Sequence, residues 1–132
     1  MNTPKLLIVA LAALAAGIPD AANSAVFINE FHYDDNGSTD SGESVEVVAT
    51  AGEDLSSYRI VLYNGSNGSS YDDDLLSAGT AVSCGATAQI ASISYPANGL
   101  QNGAPDGIAL VGPADAVVQF LSYEGSFTAT NG

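Results

Sequence analysis

Past residue 25 the chain carries no helical period. Short apolar runs at 26–33, 44–49, 58–63, 86–95, 107–111 and 116–123 are separated by turn residues. The runs are rich in Val, Ile, Phe and Tyr, side chains that suit a pleated, half-buried surface. Alternation places Val45 and Val47 on one face of "SVEV". It places Tyr58, Ile60 and Leu62 on one face of "YRIVLY". In "ATAQIASISY" the apolar phase slips between Ile90 and Ile93, which predicts a β-bulge there. Asn-Gly recurs at 36–37, 64–65, 67–68, 98–99, 102–103 and 131–132. Both residues tolerate positive φ, so the pair marks tight hairpins. Strands at this spacing, joined by such turns, predict an all-β antiparallel sandwich or barrel. No linker or second domain interrupts residues 26–132.

The first 25 residues follow a different grammar. Lys5 precedes an apolar run at 6–16, Pro19 breaks any helix, and small residues follow in "AANSA". This order predicts a secretory signal peptide cleaved after Ser24 or Ala25. A buried core helix is the competing reading, and the order of charge, run, breaker and small residues speaks against it. The run falls short of the ~20 apolar residues that cross a bilayer. No cysteine stands directly after it, so no lipid anchor is expected. The mature form, 26–132, is expected outside the cytoplasm and off the membrane.

Charge narrows the partners. The chain has two Lys and Arg against fifteen Asp and Glu, a net charge of −13. Cleavage removes Lys5 and Asp20 and leaves that balance unchanged, with Arg59 the one strong cation. Such a surface repels phosphate backbones, whose binding relies on Lys and Arg to release counterions. Direct nucleic-acid binding is therefore not expected, and anionic membranes are repelled in the same way. Cys84 is the single cysteine, so it is either inert or paired outside the chain.

The chain resembles a known family. Its opening strand ends in Ile28-Asn29-Glu30. An acidic loop follows, then Gly42-Glu43-Ser44-Val45-Glu46-Val47 and Asp54-Leu55-Ser56-Ser57-Tyr58. These elements resemble the lamin-tail domain family. "GLQNGAPDGIALV" and "VVQFLSYEGSFTATNG" are similar to its bacterial secreted branch. The likeness spans 26–132. Two positions depart from the pattern: Ser44 stands where an aromatic is usual, and Tyr58 replaces the common Trp. The resemblance implies an immunoglobulin-like sandwich and a non-catalytic, accessory role. In that branch the module often heads extracellular nucleases. It also implies closing strands beyond Gly132, which, with the bare sheet edge expected there, suggests a C-terminally incomplete domain.

The candidate chemistry is concentrated in "HYDDNGSTDSGE". On a strand, Glu30, His32 and Asp34 share a face, which would suit a general base or a metal ligand. The plainer reading is an exposed strand histidine beside a solvated turn. Zinc needs three or four His or Cys ligands, and the chain offers one of each. Calcium, which accepts carboxylates, amides and carbonyls, is the better match. Asp34, Asn36, Asp40 and Glu43 are its candidate ligands. The loop is no EF-hand, because Thr39 and Val45 occupy the positions that need Gly and Glu.

Elsewhere the plain readings prevail. "YDDDLL" at 71–76 reads as a solvated turn or strand end. Cys84 has no Lys, Arg or His beside it to lower its pKa. Arg59 is expected to pair with a carboxylate across strands. The Asn-Gly-Ser sequons at 36, 64 and 67 coincide with turn signals. No GxSxG, HExxH or P-loop pattern is present, and one histidine cannot staff a magnesium-dependent nuclease site. The expected function is that of a binding module whose partner is another protein or a downstream catalytic domain. The alternative is a stand-alone surface protein stiffened by calcium.

Overall fold

A computed structural model describes residues 25–83 and 86–131. The expected signal segment up to residue 24, and Cys84, lie outside them. The described residues form eight strands. These are β1 (Val26–His32), β2 (Ser44–Thr50), β3 (Arg59–Asn64), β4 (Ser69–Leu75), β5 (Thr80–Ser83), β6 (Thr87–Ser94), β7 (Asp106–Val111) and β8 (Val117–Tyr123). Two single 3-10 turns, Leu55–Ser57 and Pro113–Asp115, serve as connections. The first starts where the Asp54 carboxylate accepts the Ser56 N–H at 2.9 Å.

Every pairing is antiparallel, in two four-stranded sheets of order β1-β2-β6-β5 and β4-β3-β7-β8. This is the immunoglobulin arrangement, with β4 as the additional strand beside the three-stranded sheet. The expected fold class, an all-β immunoglobulin-like antiparallel sandwich, is the fold observed.

The alternation seen in the sequence builds the layer between the sheets. Val45, Val47 and Ala49 point inward from β2, and Ile60 and Leu62 from β3; all five are fully buried. Ile108 and Leu110 meet them from β7. Ile28 N–H, at the edge, donates to Gln119 Oε1 at 2.8 Å and ties β1 to β8.

The central strands of the second sheet are buried on both faces. Outside it, Val61, Tyr63, Ala109 and Val111 form a second cluster. Phe120 and Phe127 pack there, with ring centroids 5.4 and 6.4 Å from Tyr63. Phe127 belongs to a tail that folds back over the β3–β4 hairpin. Thr130 N–H donates to Gly68 O at 2.8 Å, and the Asn131 amide bonds Ser70. Gly107 leaves room for the Phe127 ring, whose atoms would stand 2.8 Å from a Cβ at that position.

Two features differ from expectation. The bulge expected between Ile90 and Ile93 is absent: β6 pairs with β2 in unbroken register from Ser94 to Ala88. Ile90 simply turns outward opposite Val48, while Ala91 faces the core. Register shifts occur instead in the β1–β2 pair at Ile28/Glu30, in the β3–β4 pair at Leu62/Tyr63 and in the β7–β8 pair at Leu110/Val111. Of the two readings of the acidic run 71–76, turn or strand end, the second holds: Tyr71 to Leu75 form the later part of strand β4. As an edge strand, β4 can leave Asp73 exposed and Asp72 and Asp74 half-buried while Tyr71 leans on the core. β5, short and largely exposed, lies in a stretch with no strand signal. Arg59 pairs across strands as expected, with Asp73 at 3.1 Å, and also with Asp115 at 2.8 Å.

Candidate functional site

The acidic loop between β1 and β2 lies against the β6–β7 connection, and carboxylates join the two. Glu43 is fully buried. Its Oε2 accepts the Gly99 N–H at 2.7 Å and its Oε1 the Leu100 N–H at 3.1 Å. Its carbonyl accepts the Tyr95 N–H at 2.9 Å. Asp40 is also buried. Its carboxylate accepts the Asp35 N–H at 2.9 Å and Asn102 Nδ2 at 2.8 Å. Asn98 completes the junction: its Oδ1 accepts the Asp40 N–H at 3.0 Å. A buried carboxylate is tolerable when N–H donors surround it, since hydrogen bonds to the charged form offset its desolvation.

The four expected calcium ligands are therefore placed in two ways. Asp40 and Glu43 turn inward and bind backbone and amide donors. Asp34 and Asn36 stay exposed at the loop's outer side. Among the described residues no three His, Cys, Asp or Glu side chains converge in a group that could hold a metal.

His32 meets Asp35, not Glu30 or Asp34. Its Nε2 lies 3.1 Å from Asp35 Oδ1, and the two side chains are 41% and 37% exposed. Asp35 also accepts the Ser41 N–H and hydroxyl. The Ser41 N–H, first of all, holds the Asp35 carboxyl below its usual value. Desolvation opposes the charged imidazole, but the Gly42 backbone and then Asp35 outweigh it and lift His32 above 6.5. A raised pKa means the folded state favours the imidazolium. That stabilisation is complete below the unfolded pKa and is lost as pH rises through the folded one. As the one histidine, His32 gives a single titrating ring in proton NMR. Its midpoint should lie above 6.5 and fall toward that value in Asp35→Asn.

On the other side of the β6–β7 connection a pocket of about 330 Å3 opens. Asn64 and Ser66, from the β3–β4 turn, form one wall; Asn98, Gln101 and Asn102 form another, and Asp106 lines it too. Asp106, the first residue of β7, is only 2% exposed. Its Oδ1 accepts the Gly65 N–H at 3.1 Å. Its Oδ2 is buried without a well-formed hydrogen bond, although the Gly103 N–H stands close enough to pull on the carboxylate. Burial raises the Asp106 pKa, against the pull of the Gly65 and Gly103 N–H groups. Two tyrosines fix the wall from behind: Tyr71 Oη accepts the Gln101 N–H at 3.0 Å, and Tyr123 Oη donates to Gln101 O at 2.6 Å. Burial pushes the Tyr71 pKa up to about 12.

Asp106 was not singled out in the sequence, where "GAPDGIALV" reads as turn and strand. The available signal was an acid at the mouth of an otherwise apolar run, a position that buries charge.

No protein-family model, curated protein or solved structure matches this chain. Among the described residues no helix is long and apolar enough to cross a membrane.

Proposed function

We propose that the chain is an exported, non-catalytic binding module, of the lamin-tail kind that its sequence resembles, acting beside a catalytic domain or a protein partner. A secreted nuclease is the parent that this resemblance suggests. One observation carries the reading: the acids of the opening loop serve as internal staples. Glu43, Asp40 and Asp35 accept hydrogen bonds from neighbouring backbone and side chains. Groups bound in this way hold loops in place and are not poised to activate water or a nucleophile. The net charge of −13 favours a cationic or neutral partner over a phosphate backbone.

The test uses the mature chain and a duplex DNA fragment, with chelator for binding and with magnesium for cleavage. In chelator no band shift is expected up to protein concentrations well above about 10⁻⁶ M, the tight end of non-specific DNA binding. With magnesium the DNA stays intact. Micromolar binding, or cleavage that follows the purified chain, would overturn the reading.

A further inference from the structure

We propose that the free edge of β8 is a docking site for an extended strand of the module's protein partner, apolar along its middle and carrying Lys or Arg at both ends. The inference rests on the binding-module reading and adds to it a surface and a partner chemistry.

An edge strand exposes backbone donors and acceptors that a further strand can satisfy. Natural proteins blunt such edges with charge, brevity or bulges. The four edges of this sandwich differ in that respect. β4 carries Asp72, Asp73 and Asp74. β5 has only four residues. β1 shifts register between Ile28 and Glu30, and its Ile28 N–H is already taken by Gln119. β8, "VVQFLSY", holds no charged residue and no proline over seven positions. Its one irregularity lies at Val118, and its pairing with β7 is regular from Gln119 to Tyr123. Among the described residues no strand lies on its other side.

Side chains on both faces of this edge lack full cover. Val117, Val118 and Phe120 are 59%, 44% and 39% exposed. On the inner face Leu121 is half-buried. Phe31 and Tyr33, from β1 and the loop after it, are half-buried against Tyr123, with ring centroids 5.5 and 4.5 Å from it. An added strand alternates its side chains between the two faces, so apolar residues along it would cover both.

The ends of β8 set the partner's charge. Asp115 stands before the strand and Glu124 directly after it. Arg59 is shared between Asp115 and Asp73, so that end keeps a net negative charge. Glu124 is exposed, with the Tyr33 hydroxyl 3.4 Å from its Oε1. A second copy pairing antiparallel through β8 would set Asp115 of each chain beside Glu124 of the other, like against like, which opposes self-pairing. A strand with a cation at each end is complementary in either direction.

The experiment titrates the isotope-labelled mature chain with a synthetic peptide of alternating Val and Thr that bears Lys at each end. Saturable amide shifts and slowed hydrogen exchange are expected at 117–123 and not in β4. Methylating the backbone nitrogens of the peptide should abolish binding, because strand addition needs those donors. Glu124→Lys should weaken the Lys-ended peptide roughly fivefold and strengthen a Glu-ended counterpart. Asp72→Lys, the same charge change on the opposite edge of the sheet, should alter neither. Sedimentation should find the chain monomeric. A dimer whose interface maps to 117–123 would give the edge to a second copy and overturn the proposal. So would absent shifts at 117–123 in the unmodified chain, or binding that survives backbone methylation. A chain that ignores both DNA and the peptide loses the docking edge and keeps the module reading.

Discussion

Replacing Glu43 by Ala should lower the unfolding free energy by about 4 kcal/mol, measured by urea denaturation at neutral pH. The carboxylate takes two backbone N–H groups, from Gly99 and Leu100, in a fully buried place. Hydrogen bonds to a charged group are worth about 1.5–3 kcal/mol each, and the deserted donors remain buried afterwards. Alanine also leaves a cavity where the longer side chain had filled space. Glu43→Gln separates the causes. It keeps the shape and one acceptor oxygen but replaces the other by an NH2 that faces a donor. It should cost less than alanine and still be measurable. An alanine effect below about 1 kcal/mol would mean that the loop and the β6–β7 connection hold together by other means.

The second large effect is expected from adding one carbon. Gly65→Ala would place its Cβ 2.1 Å from the Pro105 carbonyl oxygen and 2.9 Å from the Pro105 ring. The obstacle is mainly backbone, so no rotamer change relieves it. Either the β3–β4 turn or the 103–106 segment must move. Movement in either case stretches the bond from Gly65 N–H to Asp106 Oδ1. Overpacking typically costs 1–3 kcal/mol, and the lost charged hydrogen bond adds to it, so about 3 kcal/mol is expected. Amide chemical shifts should change at 64–66 and 103–106 and stay fixed in β1 and β2. Gly37→Ala is the matched control, because a Cβ there meets nothing within 4 Å.

These two residues show where reading the sequence succeeds and where it stops. The strands were legible wherever one face is buried and the other is not. In β2 the burial alternates residue by residue, as "SVEV" announces. Edge strands were harder. β4 carries Asp72, Asp73 and Asp74 because an edge can keep charges in water, and a run of acids imitates a turn. β5 exposes most of its residues and so leaves no apolar trace. The misplaced bulge has a related cause. The apolar phase slips between Ile90 and Ile93 because Ile90 sits on the outer face opposite Val48 while Ile93 stays on the inner one, opposite Val45.

The site was legible only in composition. The opening loop is acidic in either reading, but local spacing does not tell which carboxylates turn inward. Glu43 and Asp40 do so because donors arrive from Gly99, Leu100 and Asn102, more than fifty positions away, joined by one local donor, the Asp35 N–H. The His32–Asp35 contact spans three residues and was within reach of a local reading. Asp106 was not: its environment is assembled from the β3–β4 turn and the segment preceding β7, and only the folded chain brings them together.

Arg59 carries a further consequence. Trypsin cuts after lysine and arginine, and beyond the expected leader this chain offers it one bond, between residues 59 and 60. That bond begins a central strand flanked by β4 and β7, and the guanidinium is only 20% exposed in its clasp with Asp73 and Asp115. A protease needs an extended segment free of its neighbours, which here requires opening the second sheet. Tryptic nicking thus becomes a one-site clock for the rupture of that sheet, blind to fraying of the loops and the tail.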